Sequence, residues 1–239
     1  MSAEDILYFI IIYGVSIGVL LHITKTLKLA GESLSGRGVK TAQKLITGLW
    51  VWAAIANIYA LLLNDNNIIW ILPSLLIPMV IVITLTFTKP VIQLLEHIRL
   101  HRLVAVQLYR NLGALFLISH FVFGSYLSRE FAINAGWGDV LTGMLALPVA
   151  YMVYKRINLW QIAVVLWCFI GIGDLILAPL TAQIYGGPHT DDFPMSAIPI
   201  FIGPPIGIIL HLLTFRVLWL QSKSKNQAET LLQVSGGER

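Results

Sequence analysis

Seven stretches of the 239-residue chain are almost free of charge and each is long enough to cross a bilayer: about 6–24, 45–63, 68–88, 103–127, 131–154, 160–183 and 197–220. A spanning helix needs roughly 17–25 mostly apolar residues. Lipid offers no partner to a backbone N–H or C=O, so such runs cross only as helices or as strands of a closed barrel. Their apolar residues are continuous rather than alternating, which reads as helix. Composition agrees: 57% of residues are hydrophobic and 12% charged, about half the charge of a typical soluble domain. The expected fold is an all-α integral membrane protein, a seven-transmembrane-helix bundle. Its domain would be 1–220, followed by a polar, flexible cytoplasmic tail over 221–239. The first run lacks a basic leader and a small-residue cleavage site, and reads as a retained helix rather than a signal peptide. Cys168 is alone, so no intrachain disulfide forms.

The basic residues orient the bundle. Of sixteen Lys and Arg, five sit in the first connection (Lys25, Lys28, Arg37, Lys40, Lys44) and three in the third (Lys89, Arg99, Arg102). Lys155 and Arg156 lie in the fifth, and Arg216, Lys223, Lys225 and Arg239 at the carboxyl end. The alternate connections hold Arg129 beside Asp65, Glu130, Asp191 and Asp192. The positive-inside rule then predicts an outside N-terminus and a cytoplasmic C-terminus; the expected location is the plasma (inner) membrane. This distribution accounts for the pI near 9.2 without nucleic acid as a partner. Trp70, Trp160 and Trp219 fall near span ends, where indole rings favour the interface.

Five ionisable side chains lie inside the runs: Arg110, His120, Asp139, Asp174 and His211. Such groups are rare in spans and face the bundle interior. Helix rise puts Asp139 and Asp174 about 22 Å, and His120 about 25 Å, from the cytoplasmic edge. Asn57, at about 18 Å, joins that level. Small residues flank both acids at helical spacing (Gly136, Gly143, Ala146 and Ala150; Gly171, Ala178 and Thr181), which marks close helix contact. A second group, Gln107, Arg110 and His211, lies nearer the cytoplasm, with Arg110 about 10 Å and His211 about 14 Å deep. The expectation is that Arg110 reaches one Asp and leaves the other uncompensated. The bland alternative is that these groups are only interhelical glue, each bond contributing about 0.6 kcal/mol. His120 reads as a packing histidine rather than a ligand.

The stretch IFIGPPIG, residues 200–207, interrupts the last run. Two consecutive prolines remove backbone donors and clash with the preceding turn. Either the seventh helix is broken there, with Gly203, Pro204, Pro205 and Gly207 as a hinge level with the acids, or it begins at Pro204 with proline in its first turn.

Three functions compete. Translocation of a proton, small cation or small solute would use the two carboxylates and the hinge. A seven-helix ligand-binding receptor shares the topology. It cannot use a retinal Schiff base, because no lysine lies within a span. An intramembrane metal-dependent hydrolase would rest on His120, Asp139 and Asp174, with Ser119 adjacent, a set poor in the nitrogen and sulfur that zinc favours. The one HxxxH pair, His97 and His101, reads as solvated surface. Bis-His haem between His120 and His211 is disfavoured by their difference of about 11 Å in depth. Translocation leads, with the bilayer and a small ion or ligand as partners. The cofactor is unknown and oligomeric state is left open.

Overall fold

The computed structural model describes residues 3–34, 36–62, 68–124, 127–186 and 204–236. Among these the chain is all-helical, without strands. The helices are α1 (Ala3–Glu32), α2 (Gly36–Leu62), α3 (Ile68–Leu85), α4 (Lys89–Glu96) and α5 (Leu100–Val106). A 3₁₀ segment over Gln107–Gly113 follows, then α6 (Ala114–Phe121), α7 (Arg129–Lys155), α8 (Trp160–Tyr185) and α9 (Pro204–Gly236).

Among the described residues, four helices are long and apolar enough to cross a membrane: Ile10–Glu32, Arg129–Lys155, Trp160–Tyr185 and Pro205–Ser224. A fifth is reached if the pair Leu76–Leu85 and Lys89–Glu96, bent by 86°, is one broken span. The expected run at 103–127 is not one helix. It is divided among α5, the 3₁₀ segment and α6. Seven residues is long for 3₁₀ structure, whose bonds are poorer and whose runs rarely exceed three or four. The apolar count that flagged this run is blind to such a change, because both helix types satisfy their own backbone.

Burial follows the logic of lipid rather than of water. Gln107, Arg110, Thr142, His211 and Thr214 are buried, while Leu166, Phe169, Leu180 and Ile184 on α8 are exposed. Polar groups inside and large apolar ones outside is the arrangement a bilayer stabilises. These helices are consistent with an integral membrane protein.

Local signals set the ends of the polar half. Ser128 caps α7, its Oγ accepting from the Phe131 N–H at 3.3 Å. The same hydroxyl donates to the Gly186 carbonyl at 2.6 Å, tying the start of α7 to the end of α8. The helices then run antiparallel and meet again through Trp167, whose indole N–H donates to the Thr142 carbonyl at 2.9 Å. The short connection between them uses two left-handed residues, Arg156 (φ 54°) and Leu159 (φ 64°). α4 is amphipathic: it buries Val91, Leu94 and Leu95 and starts with proline in its first turn. Lying across the end of α3, it has the character of an interfacial helix.

Candidate functional site

The site is assembled around Arg110, which projects from the 3₁₀ segment with 1% of its side chain exposed. Its Nε donates to Asp139 Oδ1 on α7 at 2.6 Å. Nη2 donates to Asp174 Oδ2 on α8. Nη1 donates to the Gly171 carbonyl at 3.1 Å and contacts His211 Nε2 on α9 at 3.2 Å. A guanidinium carries five N–H groups and accepts nothing, so His211 Nε2 is the acceptor and its ring proton sits on Nδ1. One side chain thus holds three helices through four partners.

The expectation that one acid would stay uncompensated is corrected here: Arg110 binds both. The division of the polar residues into two depths narrows, since Arg110 reaches both acids and His211 contacts Arg110. A long side chain accounts for part of this. The rest comes from the 3₁₀ segment, which rises about 2.0 Å per residue against 1.5 Å in an α-helix and carries Arg110 further along the bundle.

Glycines make the space. A Cβ at Gly138 would occupy the Asp174 carboxylate, and one at Gly113 would collide with the Asp139 Cβ. At Gly171 it would strike the His211 imidazole and come within 2.9 Å of Arg110 Nη1. The spacing of Gly171 marked a helix seam in the sequence. That its bare carbonyl is also an Arg110 acceptor carried no signal there, and neither did the role of Gly138 as the floor beneath Asp174.

Gln107, one turn before Arg110, is fully buried and donates from Nε2 to the Gly207 carbonyl at 3.3 Å. Among the described residues its Oε1 has no partner, and neither does His211 Nδ1. An acceptor and a donor, both at 0% exposure, are therefore left open beside the arginine. Groups like these normally hold water or a ligand.

Gly207 packs beside Leu175, and Gly171 beside His211. The two pairs step in opposite directions along the two helices by the same four residues, so α8 and α9 run antiparallel in one register. Asp174 is then level with Ile208, and Pro204 lies four residues, about one helical turn, further out. α9 begins at Pro204. Gly203 lies outside the described residues, as does the rest of the stretch preceding it.

The other sequence candidates stay apart. His120 donates from Nδ1 to the Leu127 carbonyl at 2.7 Å and meets the Phe121 ring edge-on at 4.7 Å, a packing role. The side chain of Asn57 on α2 lies outside the described residues. Among the described residues, no three His, Cys, Asp or Glu side chains are grouped to hold a metal ion.

No curated protein and no solved structure matches the chain. One family does match, over residues 68–219, a span that contains Gln107, Arg110, Asp139, Asp174 and His211; its description is Domain of unknown function (DUF8737). On that match, covering well over half its length, the chain belongs to the DUF8737 family.

Proposed function

We propose that this protein is a seven-pass membrane protein, N-terminus outside and C-terminus cytoplasmic, that moves a proton or small monovalent cation through the Arg110–Asp139–Asp174 site. The observation that carries the reading is one of charge: a buried guanidinium bridges two carboxylates from different helices. The triad is one positive charge short of neutrality. Burying net charge in a low-dielectric interior is costly, and a proton or a small cation supplies what is missing. Direct contact between Arg110 and four partners favours so small a passenger over a bulky solute.

The side-chain exposures support entry past Asp139. Asp139 keeps 21% of its side chain exposed, Asp174 8% and Arg110 1%. The passenger would meet Asp139 first and be handed across the guanidinium to Asp174. The open donor and acceptor on His211 and Gln107 continue the polar path toward the end of the bundle that holds α4 and α5. Hinge motion at Pro204–Pro205, about one turn from Asp174, would let α9 and its His211 move relative to α8.

The test is flux. Purified protein in liposomes should carry pH-dependent current or dissipate an imposed pH gradient. Asp139→Asn and Asp174→Asn should each abolish that flux while remaining folded, because either change leaves a neutral Arg–Asp pair. Flux retained in both variants would end the transport reading and leave the network as interhelical glue.

A further inference from the structure

A cavity of about 390 Å³ lies between α1, α2, α3 and α9, away from the ionic site. That volume is within the roughly 300–1,000 Å³ of small-molecule sites. Its described lining is almost wholly apolar, with Trp52, Ile77, Ile81, Ile206 and Leu210 among the walls and Lys44 the single charged residue among those described.

The hydroxyl and ammonium groups lie at one end. Thr26 near the end of α1, Lys44 near the start of α2 and Thr86 just beyond α3 line the cavity where these helices meet their connections. Thr26 is 3% exposed and, among the described residues, its Oγ1 has no hydrogen-bond partner. A smaller cavity of about 300 Å³ adjoins, sharing Val82, Thr86, Ile209 and Leu213 and adding Arg216. Arg216 stacks on Phe87 and Trp219 at 4.8 and 4.6 Å and donates to the Thr86 carbonyl at 3.4 Å, while its buried Nε lacks a partner among the described residues. From Lys44 to Trp52 the cavity runs eight residues, about 12 Å along the helix. This is the shape of an amphiphile standing in the membrane, with an anionic head at the helix ends and a tail toward the bilayer centre.

We propose that this cavity binds a single-chain fatty carboxylate from the bilayer. The tail fills the apolar walls and the carboxylate meets Lys44 and the unpartnered Thr26 hydroxyl. The lone cation among the described lining residues selects the charged head over a neutral one. The proposal is independent of transport by the Arg110 site.

The test uses radiolabelled palmitate with the full chain in nanodiscs of neutral lipid, and methyl palmitate as competitor. Palmitate should bind saturably, one per chain, and methyl palmitate should compete poorly. Gly48 lines the cavity, and an added Cβ there meets nothing within 4 Å. Gly48→Leu should therefore be accommodated and occupy part of the site, and should weaken binding at least about tenfold, the equivalent of about 1.4 kcal/mol. Lys44→Gln should weaken palmitate roughly three- to fivefold and erase the preference over the ester. Asp139→Asn should bind as the parent does. Equal competition by the ester, non-saturable uptake, or unchanged binding by Gly48→Leu with an unaltered melting profile would overturn the proposal.

Discussion

Where α7 and α8 cross, space is so scarce that a methyl group at Gly138 would sit in the Asp174 carboxylate. Across the bundle, a methyl group at Gly48 meets nothing within 4 Å and faces a cavity of about 390 Å³. The first region is held by directional, charge-assisted bonds, which fail if any partner shifts by an ångström. Its helices approach closely because glycine after glycine lets them. The second is held by apolar contact, which has no direction and tolerates a void. One membrane bundle thus contains a region built for positional accuracy and another built for capacity. The family match covers the whole of the first, while Thr26, Lys44, Gly48 and Trp52 of the second lie outside it.

The largest break in this contrast comes from Arg110→Met. It leaves two buried carboxylates facing one another, and losing one partner of a buried ionic set typically costs about 3–5 kcal/mol. Thermal unfolding in detergent should show the loss, and a variant as stable as the parent would mean the ionic half is not what holds the bundle.

The acids should behave non-additively. Each single Asp→Asn change leaves Arg110 one carboxylate and should cost less than about 1 kcal/mol, whereas the double change strands the guanidinium and should cost about 3–5 kcal/mol. A double-mutant cycle on unfolding midpoints measures the difference. Simple additivity would show that the acids do not share one cation.

Glycine substitution sharpens the comparison from both sides. Gly138→Ala and Gly171→Ala should each destabilise by about 1–3 kcal/mol through overpacking. Gly48→Ala, in open space on α2, should be neutral or gain up to about 1 kcal/mol from lower chain entropy in the unfolded state. The same chemical change would then have opposite signs in the two regions.

The smallest effect is expected from His101, at the start of α5 and outside the spans. Burial, then the charges of Arg102, Arg99, Arg156 and His22, hold its imidazole below the ordinary 6.5. Its ring packs against Tyr154 at 5.3 Å. As pH falls below about 6.5, the unfolded chain takes up a proton that the folded chain refuses, so stability is lost toward acid. Between about pH 7.5 and pH 5.5, His101→Gln should flatten the decline in unfolding temperature. An unchanged slope would assign the decline to other groups.

The sequence by itself determined the helical, lipid-facing character of the chain, because the cost of bare backbone in lipid is paid residue by residue and shows in a running count of charge. It also singled out Arg110, Asp139, Asp174, His211, Gln107 and Gly207, since each is a polar group or a backbone break that such a count would exclude. The assembly was decided only by tertiary structure. A rise of 1.5 Å per residue separated Arg110 from the acids, and neither the 3₁₀ winding of Gln107–Gly113 nor the reach of a guanidinium is written in hydropathy. The same holds for the cavity beside Lys44. A void is the volume that several helices fail to fill together, and no single segment carries a record of it.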